Sequence, residues 1–257
     1  MNLRTVQVVR YITPLREGGS MPAIVEADDG FKYALKFRGA GQGPRALIAE
    51  LIGGLIAKAL GLKVPELVFA QLDEAFGRTE PDEEIQDLLR ASEGLNLALH
   101  YLSGAITYDP AVDKVDEHTA SIIVWLDALL MNVDRTARNT NMLIWHKELW
   151  LIDYGASLYF HHSWHQWQEQ YTKPFVQIKD HVLLRYATQL EQVDSELKEK
   201  LDPQLITDIV ATIPEVWLQG DAPFENTTAH RDAYVQFLNN RIAHSYHFIE
   251  EANHART

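Results

Sequence analysis

Lys36 lies in the run Tyr33-Ala34-Leu35-Lys36-Phe37, and Glu50 follows fourteen residues later inside an apolar, helix-spaced stretch. A strand lysine tied to a helix glutamate is one way to hold an ammonium over nucleotide phosphates. Further on, Asp134 is followed five residues later by Asn139 in the polar run Asn132-Val133-Asp134-Arg135-Thr136-Ala137-Arg138-Asn139. A carboxylate and an amide at that spacing on a loop can divide phosphoryl transfer between them. Asp134 would orient or deprotonate an attacking hydroxyl, and Asn139 would give Mg²⁺ a hard oxygen. Arg138 stands beside them, able to neutralise charge on the transferring group. Asn141 competes for the metal role, but the five-residue spacing favours Asn139. Last, Asp153 ends the apolar run Leu151-Ile152 and precedes Tyr154-Gly155. A buried carboxylate there is costly without a partner, so a metal is a reasonable counter-charge.

Each feature alone has an ordinary structural reading. Most lysines and glutamates are solvated, Asp and Asn are turn formers, and an aspartate after a strand is common. His161, His162 and His165, beside Trp164 and Trp167, could suggest a metal cluster. No H-E-x-x-H pattern accompanies them, and the aromatic neighbours fit packing. Asp127, inside the apolar run 122–131, reads as a buried carboxylate bonded to neighbouring loop backbone. No P-loop, nucleophile-elbow or dinucleotide fingerprint occurs in the sequence.

The elements that must position these groups can be read from periodicity. Residues 5–12, 23–26 and 31–38 predict an antiparallel meander, with turn chemistry at Asp28-Asp29-Gly30. A glycine loop at 39–43 leads to Pro44, well suited to a helix start, and to a helix over 45–60. Strands are expected at 64–72 and 95–102, with a solvated helix, which Pro81 could open, or a surface insertion between them in the acidic segment 78–93. Beyond residue 102 the pattern is mainly helical. It contains an apolar helix at 117–133, a hairpin of 142–145 with 149–152, and a final helix over about 229–253.

The 257 residues suit one large domain or two lobes sharing a cleft. With 46% apolar and 23% charged residues, wholesale disorder is disfavoured. The absence of cysteine excludes a disulfide scaffold, thiol catalysis and cysteine-ligated metal. The 36 acidic residues outnumber the 23 basic ones, for a net charge of −13. Such a chain is a poor match for nucleic acid or an anionic membrane, where affinity rests on neutralising phosphates. The acidity concentrates after residue 100, where 12 basic residues face 22 acidic ones. The amino end does not read as a signal peptide, and no apolar run approaches the roughly 18–20 residues needed to span a bilayer. A cytoplasmic location is expected.

Strand lysine, helix glutamate, hinge, D-x-x-x-x-N loop, short hairpin and D-Y-G follow the linear order of a kinase fold. By motif over roughly residues 15–160, the chain resembles HipA-type kinases, within the wider protein-kinase-like and phosphoinositide-kinase-like group. Asp134-Arg135 is similar to the D-R-H opening of the phosphoinositide-kinase loop. Asp134, Arg138 and Asn139 match the HipA-type D-x-H-x-K-N, with arginine in the lysine's place and Thr136 where histidine is common. Asp153-Tyr154-Gly155 resembles D-F-G. Residues 16–21 are a loose counterpart of a glycine-rich loop, without G-x-G-x-x-G. The chain is short for the extra amino-terminal module of full-length HipA-type proteins.

The resemblance implies a two-lobed α+β protein-kinase-like fold. Residues 1–100 would form a β-rich nucleotide-binding lobe and residues 101–257 a helical catalytic lobe. ATP and Mg²⁺ would occupy the cleft, and the γ-phosphoryl group would pass to a hydroxyl acceptor on a protein or a small molecule. In that frame Lys36 holds the α/β-phosphates and Glu50 positions Lys36, while Gly18, Gly19 and Ser20 offer backbone N–H groups. Tyr101 and Leu102 fall where an adenine-contacting hinge belongs. Asp134 acts as base or orienter with Arg138 beside it, and Asn139 and Asp153 hold the metal. The alternatives are a nucleotide-binding pseudokinase or interaction module, and a small-molecule phosphotransferase whose acidic lobe suits a cationic acceptor.

Overall fold

In β1 (Thr5–Pro14), β2 (Ala23–Ala27) and β3 (Lys32–Lys36), alternate residues face one interior, because side chains alternate across a strand. Val6, Val8, Val25, Tyr33 and Leu35 point inward and are buried. The alternation predicted for 31–38 holds except at its start: Phe31 is exposed and lies edge-on to His100. The computed structural model describes residues 3–15, 21–76, 82–220 and 222–257. Gly18, Gly19, Ser20 and Pro81 therefore lie outside the described residues.

The three strands belong to a closed five-stranded barrel of order β1-β2-β3-β5-β4, completed by β4 (Leu67–Leu72) and β5 (Gly94–His100). Closure comes from parallel pairing of β1 with β4, Thr5 opposite Phe69. Between β4 and β5, α2 (Glu83–Ala91) is capped by Asp82, whose carboxylate accepts from the N–H groups of Glu84 and Ile85. Only Leu89 of this helix is buried, as its acidic sequence predicts.

Helix α1 (Pro44–Ala59) starts with Pro44 in its first turn, after Gly43 at φ 62. Every residue from Leu47 to Ala57 is buried, so the helix has no solvent face over that span. It shares a core with the carboxy-terminal helices rather than with the barrel interior, and the outward-facing Leu67, Leu97 and Leu99 of β4 and β5 join it.

Helix α3 (Glu117–Leu130) ends three residues before the predicted limit. Met131 takes the left-handed conformation, φ 55. The Asn132 N–H reaches the Asp127 carbonyl at 2.8 Å and the Met131 N–H reaches that of Ala128 at 3.3 Å. This Schellman closure turns the chain sharply into the polar loop. The loop leads to β7 (Met142–Trp145) and β8 (Glu148–Leu151), which with β6 (Ile106–Thr107) form a small sheet of order β6-β7-β8.

The remainder is helical: 3₁₀ turns at Tyr159–His162, Val176–Asp180 and Leu184–Tyr186, with α4 (Trp167–Gln170), α5 (Leu190–Lys200), α6 (Pro203–Ala211) and α7 (Glu215–Leu218). The single terminal helix expected from the sequence is two helices, α8 (Thr227–Ala243) and α9 (Tyr246–Arg256). They part at His244-Ser245, where bonds from Ser245 N–H to the Ile242 carbonyl and from His247 N–H to the His244 carbonyl tighten the turn. The bend brings Phe248 edge-on to Trp125 of α3. Arg241 is fully buried, and its guanidinium gathers the carbonyls of Ala128, Leu129, Gln170 and Lys173 at 2.9–3.1 Å. No helix of the described residues is long and apolar enough to cross a membrane.

Candidate active site

Lys36 is the penetrating charge of the barrel's outer face. Its Nζ lies 2.6 Å from Glu50 Oε2 and 2.6 Å from Asp153 Oδ1. The β3 strand, α1 and the turn after β8 are thus joined by one ammonium. Its side chain is 13% exposed, that of Glu50 1% and that of Asp153 39%, so the cluster opens on the Asp153 side. Burial alone would lower the Lys36 pKa, but the two carboxylates outweigh it and hold the ammonium above its ordinary range. Two carboxylates share one cation, and the more deeply placed one yields: burial, with the Asp153 charge adding to it, raises Glu50. Burial works the same way on Asp153, yet Lys36 and the Gly155 N–H overcome it and keep its carboxyl below the usual range.

The D-Y-G turn is held from several sides. The Tyr154 N–H donates to Glu50 Oε2 at 2.8 Å. Asp153 adopts φ 58, in the left-handed region, at the point where its carboxylate turns toward Lys36. The Tyr154 ring packs directly on Gly53 of α1, where an added Cβ would come within 2.5 Å of Cγ. Arg135 stacks its guanidinium over the same ring, 5.0 Å from the centroid. The Tyr154 hydroxyl is buried with no hydrogen-bond partner among the described residues, so the residue serves as a ring.

In the polar loop, Asn139 Nδ2 donates to Asp134 Oδ2 at 2.9 Å and Asn141 Nδ2 donates to the same oxygen at 3.2 Å. Asp134 is therefore oriented by two amides, and its Oδ1 has no partner among the described residues. Asn139 Oδ1 and Asp153 Oδ2 are likewise free of protein donors, which leaves the two residues assigned to metal each with an available hard oxygen. That donor set fits Mg²⁺, which prefers carboxylate and carbonyl-type oxygens and retains waters. Thr136 closes the loop on itself: its N–H donates to the Asn139 carbonyl at 2.9 Å and its Oγ1 accepts the Asn139 N–H at 3.3 Å. Arg138 is exposed and makes no ion pair or hydrogen bond among the described residues.

Beneath the loop lies a hub that sequence reasoning missed. Asp127 is fully buried and bonded chiefly to side chains, not to loop backbone as its sequence context implies. Its Oδ2 accepts from Arg135 Nε at 2.5 Å and from His181 Nε2 at 2.9 Å, and its Oδ1 accepts from Asn132 Nδ2 at 2.9 Å. The His181 tautomer follows from its other nitrogen, Nδ1, which accepts the Leu183 N–H. Burial would raise the Asp127 pKa, but Arg135 and His181 hold it below the ordinary range. Arg135 in turn donates to the carbonyls of Asn141 and Ile152, joining the polar loop to the residue before Asp153.

A family model described as HipA-like kinase matches residues 8–250. The chain belongs to the HipA-like kinase family. No curated protein matches it. Among solved structures it resembles the Helicobacter pylori proinflammatory kinase CtkA, at 13% identity, TM-score 0.55, over 99% of this chain and 98% of that one. It also matches a Golgi casein kinase crystallised with Mn/ADP, at 11% identity and TM-score 0.47, over 97% of this chain and 73% of that one. The fold is protein-kinase-like, and the family makes the protein a kinase-type phosphotransferase. Within this HipA-like kinase, the expected residues form two groups, Lys36–Glu50–Asp153 and Asp134–Asn139, so that Asn139 and Asp153, expected to share the metal, fall in different groups. Leu102 is buried after β5, and the Tyr101 N–H is committed to the Lys32 carbonyl at 2.9 Å. The His161–His165 segment does not converge: His161 is buried and bonded to the Tyr234 hydroxyl at 3.0 Å, while His165 is exposed. Among the described residues no group of three or more His, Cys, Asp or Glu side chains is placed to hold a metal.

Proposed function

We propose that this HipA-like kinase uses ATP with Mg²⁺ and transfers the γ-phosphoryl group to a hydroxyl acceptor, of which a protein serine or threonine is one class. The observation carrying the proposal is Lys36 Nζ at 2.6 Å from both Glu50 and Asp153. An ammonium fixed between a helix carboxylate and a cleft carboxylate is available to anionic phosphates without being rebuilt. On nucleotide binding Lys36 keeps Glu50 and turns from Asp153 to the α/β-phosphates. Residues 1–100 supply this nucleotide side and residues 101–257 the catalytic side. Leu102, whose N–H has no partner among the described residues, offers the hinge donor to adenine, with Tyr101 beside it.

Asn139 Oδ1 and the Asp153 carboxylate would hold Mg²⁺, which neutralises charge on the phosphates. Asp134 Oδ1 takes the proton of the acceptor hydroxyl as that oxygen bonds to the γ-phosphorus. The bond from γ-phosphorus to the bridging oxygen breaks, and ADP leaves with the electron pair. Arg138, exposed beside Asn139, faces the negative charge on the transferring group. The test is incubation of the purified chain with γ-labelled ATP, with and without Mg²⁺, followed by a search for label on the chain and on added protein. Mg²⁺-dependent transfer supports the proposal. Nucleotide binding without any turnover would make the protein a pseudokinase.

A further inference from the structure

Behind the polar loop lies a cavity of about 200 Å³, lined by Lys179, His181, Val182, Leu184, Arg185, Ala255 and Arg256. Its charged lining is wholly cationic, on a chain whose net charge is −13. Three cations reach it from three places: Lys179 from the turn Val176–Asp180, Arg185 from the turn Leu184–Tyr186, and Arg256 from the last turn of α9. None of the three is paired with a carboxylate among the described residues. Arg185 bonds to the Tyr186 hydroxyl and stacks over that ring, and Arg256 donates to Asn253 Oδ1 at 3.2 Å. The Arg256 Nε is buried with no acceptor among the described residues. A cation in the last turn of α9 also answers the helix dipole, which accounts for Arg256 but not for Lys179 or Arg185.

Like charges gathered around one recess repel, and a buried guanidinium N–H without an acceptor carries a desolvation cost. A multivalent oxyanion relieves the repulsion. The volume selects its size, since it falls below the roughly 300–1,000 Å³ of sites for drug-sized ligands. A nucleotide is too large, whereas a phosphate group fits. We propose that Lys179, Arg185 and Arg256 form a phosphate-binding site, taking orthophosphate or the phosphate of a phosphorylated hydroxyl side chain. Both ring nitrogens of His181 are engaged, with Asp127 and with the Leu183 N–H, so it forms wall rather than ligand. It places the site one side chain away from the Asp127–Arg135 hub.

The test uses the full chain carrying Lys36→Met, so that phosphate binding in the nucleotide cleft does not contribute. Orthophosphate and O-phosphoserine are titrated by calorimetry at constant ionic strength, with chloride as the balancing ion. Saturable binding of one equivalent is expected, weakened about tenfold or more by Arg185→Gln and again by Arg256→Gln. Binding of orthophosphate alone assigns the free ion, and tighter binding of O-phosphoserine assigns a phosphorylated side chain. The exposed Lys179→Gln serves if either arginine variant fails to fold. Absence of saturable binding, or an affinity in the arginine variants and in Lys179→Gln unchanged from that of the parent chain, overturns the proposal. Neither outcome depends on whether the protein turns over ATP.

Discussion

Glu50 Oε2 accepts the Tyr154 N–H at 2.8 Å and holds Lys36 Nζ at 2.6 Å. One carboxylate oxygen thus sets the position of the lysine and of the D-Y-G turn together. A glutamate that only neutralised Lys36 could be replaced by any nearby negative charge. This one also registers α1 against the turn, so its loss should be felt on both sides.

Lys36→Met is expected to abolish the thermal stabilisation by millimolar MgATP while leaving the far-ultraviolet circular dichroism unchanged. Methionine keeps the apolar stem, and ligand that binds only the folded state raises the melting temperature by mass action. Glu50→Gln keeps an acceptor for Tyr154 and loses the charge, so it should weaken that stabilisation without removing it. Full MgATP stabilisation of Lys36→Met would show that the lysine does not hold phosphate.

Asp134→Asn and Asp153→Asn should separate. The first removes the proton acceptor and is expected to cut transfer by about 10²–10⁴-fold while sparing MgATP binding. The second removes a metal oxygen and a Lys36 partner, and should reduce the Mg²⁺-dependent part of nucleotide binding as well. Titration of both variants with ATP, with and without Mg²⁺, measures the difference. Identical binding and turnover in the two variants would sink the division of roles.

Tyr154→Phe should be neutral or slightly stabilising, because it deletes a buried hydroxyl that has no partner among the described residues. Gly53→Ala should destabilise by about 1–3 kcal/mol through overpacking against the Tyr154 ring. Urea unfolding of the two variants checks both signs. A Gly53→Ala protein as stable as wild type would mean that the turn has room to retreat from α1.

Stability against pH should show an acid limb set by Asp127 and Asp153, both lowered from the ordinary 3.8 by their cationic partners despite burial. Depressed folded-state values mean that their contribution is complete above 3.8 and is lost as the pH falls through those values. Lys36 gives the opposite limb: raised from 10.5, it contributes fully below that pH and loses its contribution as the pH rises through its folded value. Asp127→Asn should flatten the acid limb. It should also cost about 3–5 kcal/mol near neutrality, because Arg135 then remains buried without its counter-charge. Denaturant midpoints from pH 2 to 8 measure the acid limb and from pH 9 to 12 the onset of the Lys36 limb; an unchanged acid limb would remove Asp127 from the account.

The pairs Lys36–Glu50 and Asp134–Asn139 were legible because each sits at a short spacing, whereas Asp153 meets Lys36 across 117 residues and was legible only through the linear order of the motifs. Pro44 marks the start of α1, and the apolar spacing after it places Glu50 on that helix. Barrel closure was not legible, since the parallel β1–β4 pairing joins distant segments and leaves no local pattern. Met131 hid the end of α3, because that left-handed position usually carries glycine. His181 reaches Asp127 across fifty-four residues, and no short-range spacing points to it. Arg135 was visible as part of a motif, but its burial beneath Tyr154 depends on the fold around it. The break at His244-Ser245 lacks a glycine or proline, so helical spacing ran through it.

Asp153 is a latch set against its own backbone. At φ 58 the residue sits in a conformation that L-amino acids avoid, though aspartate tolerates it better than most, and the cost is of order 1 kcal/mol. Lys36 secures it on the carboxylate side, and Glu50 restrains the next peptide. Were Lys36 to leave Asp153, one restraint would be released, with Glu50 on α1 and Arg135 still holding the turn. The turn could then re-seat only as far as those two allow. Loosening α1 would free the peptide after Asp153, while Arg135 would still hold the carbonyl before it.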